Sequence, residues 1–111
     1  GLDQPLSPDE RVQAFESGVG IPLCIVRSRL PNGRVLPSVL ELYEPSEIRS
    51  HPGEEFVFVL SGRVRLDVGD RTVELGEGES ATFWSAEPHR YAPADPADIP
   101  ARLLSVRTEG A

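Results

Sequence analysis

The sequence predicts an all-β protein, either a sandwich or a closed barrel of short strands. Eleven prolines and ten glycines are spread between short apolar runs, at the places where turns are expected. Several runs alternate apolar and polar residues with the period of a strand, most clearly residues 63–68. The sequence shows no alternating pattern of strands and long helices. About eight to ten short strands are therefore expected, in one domain of 111 residues.

The first segment, residues 1–20, is predicted to be an N-terminal helical arm. Ser7 can cap a helix, Pro8 suits its first position, and Glu10 completes a capping box. Glycines downstream would end the helix, which we place at about residues 8–16. This short helix is expected to lie against the body of the protein, either as a lid over the core or against a neighbouring subunit.

The rest of the chain is assigned in order from its apolar runs and its turn residues. The predicted strands are 21–30, 35–43, 54–61, 63–68, 71–75, 80–85, 89–92 and 101–107. A proline-rich loop, residues 93–100, precedes the last strand. Residues 21–107 are thus expected to form the barrel domain and residues 108–111 a tail. In the fourth and fifth of these strands the residues expected to face the core are Val64, Leu66, Val68, Val73 and Leu75.

The predicted strand 54–61 has two contrasting faces. If Glu55 points inwards, the alternation of a strand places Val57 and Val59 on the same side. The residues on the opposite side are Phe56, Phe58 and Leu60. Three large apolar side chains need cover, which the N-terminal segment or a second copy could provide. We expect a homodimer.

Composition argues against several classes of partner. The net charge is −7 and all eleven basic residues are arginine, so neither nucleic acid nor an anionic membrane is an expected partner of this domain. No apolar run has the length of a membrane span. The single cysteine, Cys24, excludes an internal disulfide and is expected to be a buried strand thiol. A cytoplasmic location fits these features.

Two histidines and a glutamate form a candidate metal site. His51 and Glu55 are four residues apart at the start of a predicted strand, and His89 comes from a distant strand. A closed barrel would bring them together as a two-histidine, one-carboxylate face for a divalent metal. Each residue alone would more often be an ordinary loop or surface residue. The presence of both histidines at the predicted mouth of the barrel favours the site.

Here the sequence resembles the cupin superfamily. The first cupin motif runs Gly, five residues, His-x-His, three or four residues, Glu, six residues, Gly, and this chain matches it at His51, Glu55 and Gly62. The second motif runs Gly, five residues, Pro-x-Gly, two residues, His, three residues, Asn, and the chain matches it at Gly78 and His89. The resemblance implies a double-stranded β-helix, or jelly-roll, barrel.

The chain departs from both motifs. Arg49 stands where the first motif histidine is expected and Tyr43 where the first glycine is expected. Trp84, Ala86 and Pro93 replace the Pro, Gly and Asn of the second motif. The resemblance implies metal ligation by His51, Glu55 and His89, and three ligands can still hold Zn, Ni or Fe.

Arg49 is the departure with chemical consequences. If its side chain enters the pocket, its permanent charge opposes a divalent metal and suits an anionic small molecule. Alternatively it could pair with Glu54 or Glu55 and close the site. Three aromatic residues near the motifs, Tyr43, Trp84 and Tyr91, could orient such a ligand. The candidate ligand-binding residues are Arg49, Tyr43, Trp84 and Tyr91.

The amino-acid sequence of the two motif segments is similar to that of the C-terminal cupin domain of bacterial helix-turn-helix (XRE-type) transcriptional regulators. That resemblance implies an effector-binding and dimerising domain, with DNA read by a fused N-terminal domain. The chain has no methionine and begins Gly1-Leu2, which we interpret as part of a longer protein. The alternative is a stand-alone metal-dependent cupin enzyme of the dioxygenase or isomerase type, which we rank below the sensor. A purely structural dimerisation module is a third possibility.

Overall fold

A computed structural model describes residues 4–5, 21–25 and 31–108 of the chain. In that part of the chain nine strands are found, with one 3-10 turn at Pro96–Asp98. The strands are β1 (Gln4–Pro5), β2 (Ile21–Ile25), β3 (Val35–Leu42), β4 (Glu54–Ser61), β5 (Val64–Val68), β6 (Arg71–Leu75), β7 (Ser80–Trp84), β8 (His89–Pro93) and β9 (Ala101–Thr108). The all-β prediction is confirmed. The predicted helix at residues 8–16 lies outside the described residues, as do residues 26–30 and 109–111.

The strands form two antiparallel sheets. The larger sheet has the order β1-β2-β3-β9-β4-β7 and the smaller one the order β6-β5-β8. In the larger sheet β4 is paired along both edges, with β9 on one side and β7 on the other. Two antiparallel sheets of this kind, packed around one core, make the jelly-roll architecture. Among the described residues no helix has the length and apolar character needed to cross a membrane.

The core lies between the two sheets. Leu42 and Leu103 are fully buried, and Val57 and Val59 of β4 are each only 1% exposed. The predicted inward face of β4 is therefore confirmed, and with it the burial of Glu55, which is 3% exposed. A carboxylate on the inner face of a barrel costs free energy unless it is paired, so its surroundings are informative.

Val73 is an exception to the predicted core. It lies directly opposite Leu66 in the β5–β6 pair, so the two side chains share the inner face as predicted. Nevertheless Val73 is 43% exposed, whereas Leu66 is 1% exposed. The reason is that β6 is an edge strand of the smaller sheet, with no further strand beside it among the described residues.

An apolar surface remains on the outside of the larger sheet. Two rows of residues run across β4, β9 and β3 in register, and every member is partly buried. The rows are Phe58, Leu104 and Val39, and Phe56, Val106 and Pro37. We call these six residues the outer apolar face. Leu60, which is 44% exposed, continues along the outward side of β4.

The outside of the smaller sheet carries an ion-pair network centred on Asp67. The carboxylate accepts hydrogen bonds from Arg90 Nε and Thr72 Oγ1, both at 2.8 Å. The hydrogen bond from Arg90 is the main reason that the pKa of Asp67 lies below its ordinary value, and nearby Arg65 lowers that pKa further. Because Asp67, Thr72 and Arg90 belong to β5, β6 and β8, the network links all three strands.

We expect Asp67→Asn to reduce the free energy of unfolding at neutral pH by up to about 1 kcal/mol, the range of partly exposed pairs. Since the folded-state pKa is lowered, this contribution is present above the unfolded-state pKa and is lost as the pH falls through the folded-state pKa. Urea unfolding at neutral pH and below about pH 3 measures the difference. Asp70→Asn, in the adjacent turn, is the matched control. An equal loss at both pH values would contradict the assignment.

Candidate metal centre

Three side chains converge inside the barrel, two from nearby positions around the start of β4 and one from β8. His51 Nε2 lies 3.2 Å from Glu55 Oε1, and His89 Nε2 lies 3.7 Å from the same oxygen. One ligand atom from each of the three residues lies within 4.8 Å of the other two. Glu55 and His89 are buried and His51 is partly buried. The structure thus brings together the three residues that the sequence singled out.

Backbone hydrogen bonds fix the segment that carries His51. Arg49 and His89 exchange two backbone hydrogen bonds of 2.8 and 2.9 Å, which form an isolated antiparallel bridge. Two residues further on, the N–H of His51 donates to the carbonyl of Ser85 at 3.0 Å. The N–H of Ser85 in turn donates to the carbonyl of Gly53 at 2.9 Å. The segment is therefore held in register against the β7–β8 connection before β4 begins.

The other ring nitrogens orient both histidines. Nδ1 of His89 lies 2.8 Å from the carbonyl oxygen of Glu87, and Nδ1 of His51 lies 3.4 Å from that of Pro52. Because a carbonyl only accepts, Nδ1 carries the proton when these bonds form. The lone pair of Nε2 is then available to a metal. This is the usual arrangement for ligating histidines in proteins.

Glu55 is oriented in the same way. The Ser105 hydroxyl donates to Glu55 Oε2 at 3.2 Å, which leaves Oε1 facing the two histidine Nε2 atoms. Two neutral imidazole nitrogens and one carboxylate oxygen form a donor set that suits a divalent transition metal. The residues present therefore fit a metal ion, with three protein ligands and coordination positions open to another molecule.

Further buried polar atoms lie around this cluster. Within the described part of the chain, Arg49 Nε, Ser85 Oγ and Tyr91 Oη are buried and have no hydrogen-bond partner. The ring of Tyr91 lies 6.2 Å from that of His89, centre to centre. A buried polar group without a partner costs about 1–3 kcal/mol. Unpartnered polar atoms near three potential metal ligands favour a site that receives another polar molecule.

Arg49 lies beside the cluster. Directly opposed residues of an antiparallel pair share one face, so the Arg49 side chain is on the same side as that of His89. Its guanidinium approaches Glu47 at 3.8 Å, and its side chain is 38% exposed. The alternative pairing with Glu54 or Glu55 is not found among the described ion pairs. The Nε of Arg49 is buried without a partner in the described part of the chain, so this donor remains available to a ligand.

Tyr43 and Trp84 are placed elsewhere. The Tyr43 hydroxyl donates to Glu41, which also binds Arg102, near the opposite end of β4 from Glu55. Trp84 lies opposite Glu54, on the other face of β7 from Phe83, and is 68% exposed. Of the four predicted ligand-binding residues, Arg49 and Tyr91 thus lie beside the three metal-ligand candidates, whereas the other two do not.

Sequence reasoning missed two residues of the site. Ser105 is an inward residue of β9, where Ala101 and Leu103 also face the core. A serine that interrupts an inward apolar series was a signal that could have been used. Ser85 is fully buried although it follows the end of β7, and no sequence pattern distinguished it from a turn serine.

Comparison with known proteins identifies related folds. A family model described as "Cupin domain" matches residues 39–107. The solved structure of TT1209 from Thermus thermophilus is similar with a TM-score of 0.66 and 20% identity, covering 97% of this chain and all of that one. The conserved protein SPY1581 of unknown function from Streptococcus pyogenes has a TM-score of 0.63 and 19% identity, with 78% and 72% of the two chains covered.

A functionally described neighbour is also among the similar structures. Oxalate decarboxylase from Bacillus subtilis, whose Mn(II) centres are named in the description of one structure, has a TM-score of 0.66 and 22% identity. The match covers 79% of this chain but only 25% of that one. At this identity the likeness shows a shared fold. The comparison with curated protein sequences finds no significant match.

Proposed function

The chain belongs to the cupin domain family, and on that premise we propose that it binds a small molecule at a divalent metal held by His51, Glu55 and His89. The observation that carries the proposal is the approach of both histidine Nε2 atoms to one carboxylate oxygen, at 3.2 and 3.7 Å. Candidate metals are Zn, Ni and Fe from the donor set. The Mn(II) centres of oxalate decarboxylase add manganese. When bound, the metal supplies a Lewis acid with open coordination positions.

We propose that the ligand is anionic. Arg49 shares the face of His89 and keeps a buried Nε without a partner in the described part of the chain. A guanidinium is a permanent cation with a planar set of donors that matches a carboxylate. The buried hydroxyl of Tyr91 offers a further hydrogen bond beside His89. These groups bind and orient the ligand, whereas the apolar core behind them excludes water.

Arg49→Met tests the anion site. We expect it to weaken binding of small carboxylates, with oxalate and malonate as probes, by about tenfold or more, since hydrogen bonds to charged groups contribute about 1.5–3 kcal/mol. Metal content should be retained, because Arg49 is not a ligand. Isothermal titration calorimetry of the metal-loaded protein gives the affinities. Arg34→Met, at an exposed position just before β3, is the control. Equal affinities in wild type and Arg49→Met would refute the role of Arg49.

We further propose that the ligand is an effector and that this domain is the C-terminal sensor of a cytoplasmic helix-turn-helix regulator. The support is the resemblance of the two motif segments to such domains, together with a net charge of −7, which would leave DNA contacts to another domain. Ligand binding would then act by changing the populations of dimer geometries. Reading the gene upstream of the codon for Leu2 tests this: a helix-turn-helix frame supports it, and a start codon there refutes it.

A metal-dependent enzyme of the dioxygenase or isomerase type is the second candidate. The observation that favours it is the open side of the three-ligand cluster, next to the unpartnered hydroxyl of Tyr91. A metal site with two or three open positions is compatible with oxygen activation. Oxygen uptake by the iron-loaded protein in the presence of candidate substrates separates the two functions, because a sensor binds its ligand without turnover.

We propose that two copies associate through the outer apolar face. Phe56 and Phe58 are its two aromatic residues, lie on β4 and are only partly buried. Burying an apolar surface of this width against a second copy is favourable. The N-terminal segment, residues 1–20, is the alternative cover, and only Gln4–Pro5 of it belongs to the described residues.

Phe58→Glu should convert a dimer to a monomer, because a charge within an apolar interface is left without a partner. Sedimentation velocity at several protein concentrations measures the change, with circular dichroism to verify folding. Ala97→Glu, at an exposed position of the 3-10 turn, is the charge-matched control. A wild-type protein that sediments as a monomer at all concentrations would contradict the dimer.

A further inference from the structure

We infer that the ligand is a monocarboxylic acid with an aromatic or branched aliphatic body, and that this body occupies an apolar cavity between β6 and β7. The inference rests on the proposed function and names the ligand class of that site. The observation behind it is a cavity whose lining residues are not the metal-ligand candidates.

The cavity lies where the edge strands of the two sheets face each other. Its volume is about 290 Å³. Its apolar walls are Leu66, Val68, Val73, Ala81, Phe83 and Trp84. Arg71 and Glu87, both exposed, also border it. Small-molecule pockets usually measure about 300–1,000 Å³, so this volume suits a small body such as a single ring.

The cavity adjoins the candidate metal centre. Phe83 lies opposite Glu55 in the β4–β7 pair, and Val68 lies opposite His89 in the β5–β8 pair. Directly opposed residues share a face, so both cavity walls stand on the same side as the ligating groups. The ring of Phe83 is 5.0 Å from that of His89, centre to centre. Two walls of the cavity are therefore direct neighbours of the metal ligands, so a polar group attached to a body in the cavity would be directed towards them.

The two ends of this space differ in chemistry. The metal ligands do not line the cavity but stand next to its inner walls, since Phe83 pairs with Glu55 and Val68 with His89. On the face of His89 this inner end also has the cation of Arg49 and the buried, unpartnered hydroxyl of Tyr91. Towards the opening the walls are mainly apolar, with Val73 and Trp84 at the exposed rim. A neutral apolar molecule would leave the polar inner end unsatisfied, and a small dianion would leave the apolar walls uncovered. A carboxylate joined to an apolar body satisfies both ends.

The single tryptophan of the chain reports on this cavity directly. Trp84 is the only tryptophan and borders the cavity, so its fluorescence should change when the cavity fills. The probes are phenylacetate, acetate and benzyl alcohol, titrated into metal-loaded protein, with calorimetry as a second measurement. We expect saturable binding of phenylacetate, at least tenfold tighter than either of the other two. Equal affinities of acetate and phenylacetate would overturn the inference.

Two variants complete the test. Ala81→Phe fills the cavity from the inner face of β7 and should weaken phenylacetate binding at least tenfold, with acetate binding and metal content unchanged. Val73→Asp replaces Ala81→Phe in the test if the latter does not fold. It places a negative charge at the exposed rim and should also weaken phenylacetate binding. Phenylacetate binding that neither variant weakens would refute the cavity. A wild-type protein that binds no metal or no small carboxylate would instead refute the proposed function. The metal content distinguishes that outcome from a failure of the cavity inference alone.

Discussion

Replacing any one of the three metal-ligand candidates should abolish stoichiometric metal binding. Glu55→Gln removes the sole anionic donor of the cluster while keeping the shape of the side chain, and His51→Ala and His89→Ala each remove one nitrogen. Loss of a residue that merely orients a ligand typically costs about 10–100-fold in metal affinity. We therefore expect a decrease of more than about a hundredfold for each ligand. Inductively coupled plasma mass spectrometry after reconstitution and desalting measures the metal content.

Glu54→Gln is the matched control for Glu55→Gln. The two residues are adjacent, but Glu54 is exposed and lies opposite Trp84, on the other face of β4. The control should retain its metal. Ser105→Ala should have an intermediate effect of about tenfold to a hundredfold, because the Ser105 hydroxyl orients Glu55 Oε2. Full metal content in Glu55→Gln would exclude this cluster as a metal centre.

Metal should also stabilise the folded protein, which provides an independent measurement. A ligand that binds only the folded state adds about 2.7 kcal/mol when its concentration is a hundred times its dissociation constant. Adding Zn or Mn should therefore raise the melting temperature of the wild-type protein and of Glu54→Gln. The melting temperature of Glu55→Gln should not respond. A rise of equal size in Glu55→Gln would indicate metal binding elsewhere on the chain.

The sequence predicted those parts of the fold that depend on local alternation. In β4 the period of two placed Glu55 and Val57 inwards and Phe58 outwards, and the structure agrees. The convergence of the three metal-ligand candidates could also be predicted from the sequence. The motif spacing relates His51 to Glu55, and closure of the barrel brings His89 next to them. The alternation of a strand does not predict how exposed an inward-facing side chain is when the strand lies at the edge of a sheet. Val73 faces inwards as expected but remains accessible, since only the arrangement of sheets makes β6 an edge strand.

The ligand-binding residues were harder to predict for a related reason. Trp84 was chosen as an aromatic residue near a motif, but its face is set by its pairing with Glu54, which the sequence does not reveal. Tyr43 donates a hydrogen bond to Glu41, whose other partner, Arg102, lies across the β3–β9 pair. Tyr91, two residues from His89 on the same strand, shares its face by the strand period alone. The sequence can therefore place residues of one strand on a common face, whereas contacts between strands depend on a register that it does not reveal.

Gly53→Ala should weaken metal binding although it removes no ligand. Gly53 lies between His51 and Glu55 and has a φ of +107°, a conformation that side chains other than glycine rarely adopt. A Cβ at this position would lie 2.8 Å from both the carbonyl oxygen and the hydroxyl oxygen of Thr108. Backbone strain of this kind costs about 1–3 kcal/mol. The turn must shift to relieve it, and both flanking ligands shift with it.

The contacts around Gly53 explain why the shift should reach the metal ligands. The N–H of Glu54 donates to Thr108 Oγ1 at 3.1 Å, and the carbonyl of Gly53 accepts from Ser85 at 2.9 Å. Moving the glycine away from β9 strains both bonds. Since metal ions require ligand positions within a few tenths of an ångström, we expect metal affinity to fall about tenfold or more.

Gly69→Ala is the control that separates strain from displacement. Gly69 also has a positive φ, +59°, but a Cβ there would meet no atom within 4 Å, and the turn lies outside the metal cluster. Both variants should lower the melting temperature, because both place alanine in a left-handed conformation. Only Gly53→Ala should also lower metal affinity. If Gly53→Ala lost stability but bound metal as tightly as Gly69→Ala, the ligands would be positioned independently of this turn, and the bonds from His51 and Arg49 to the β7–β8 region would have to hold them alone.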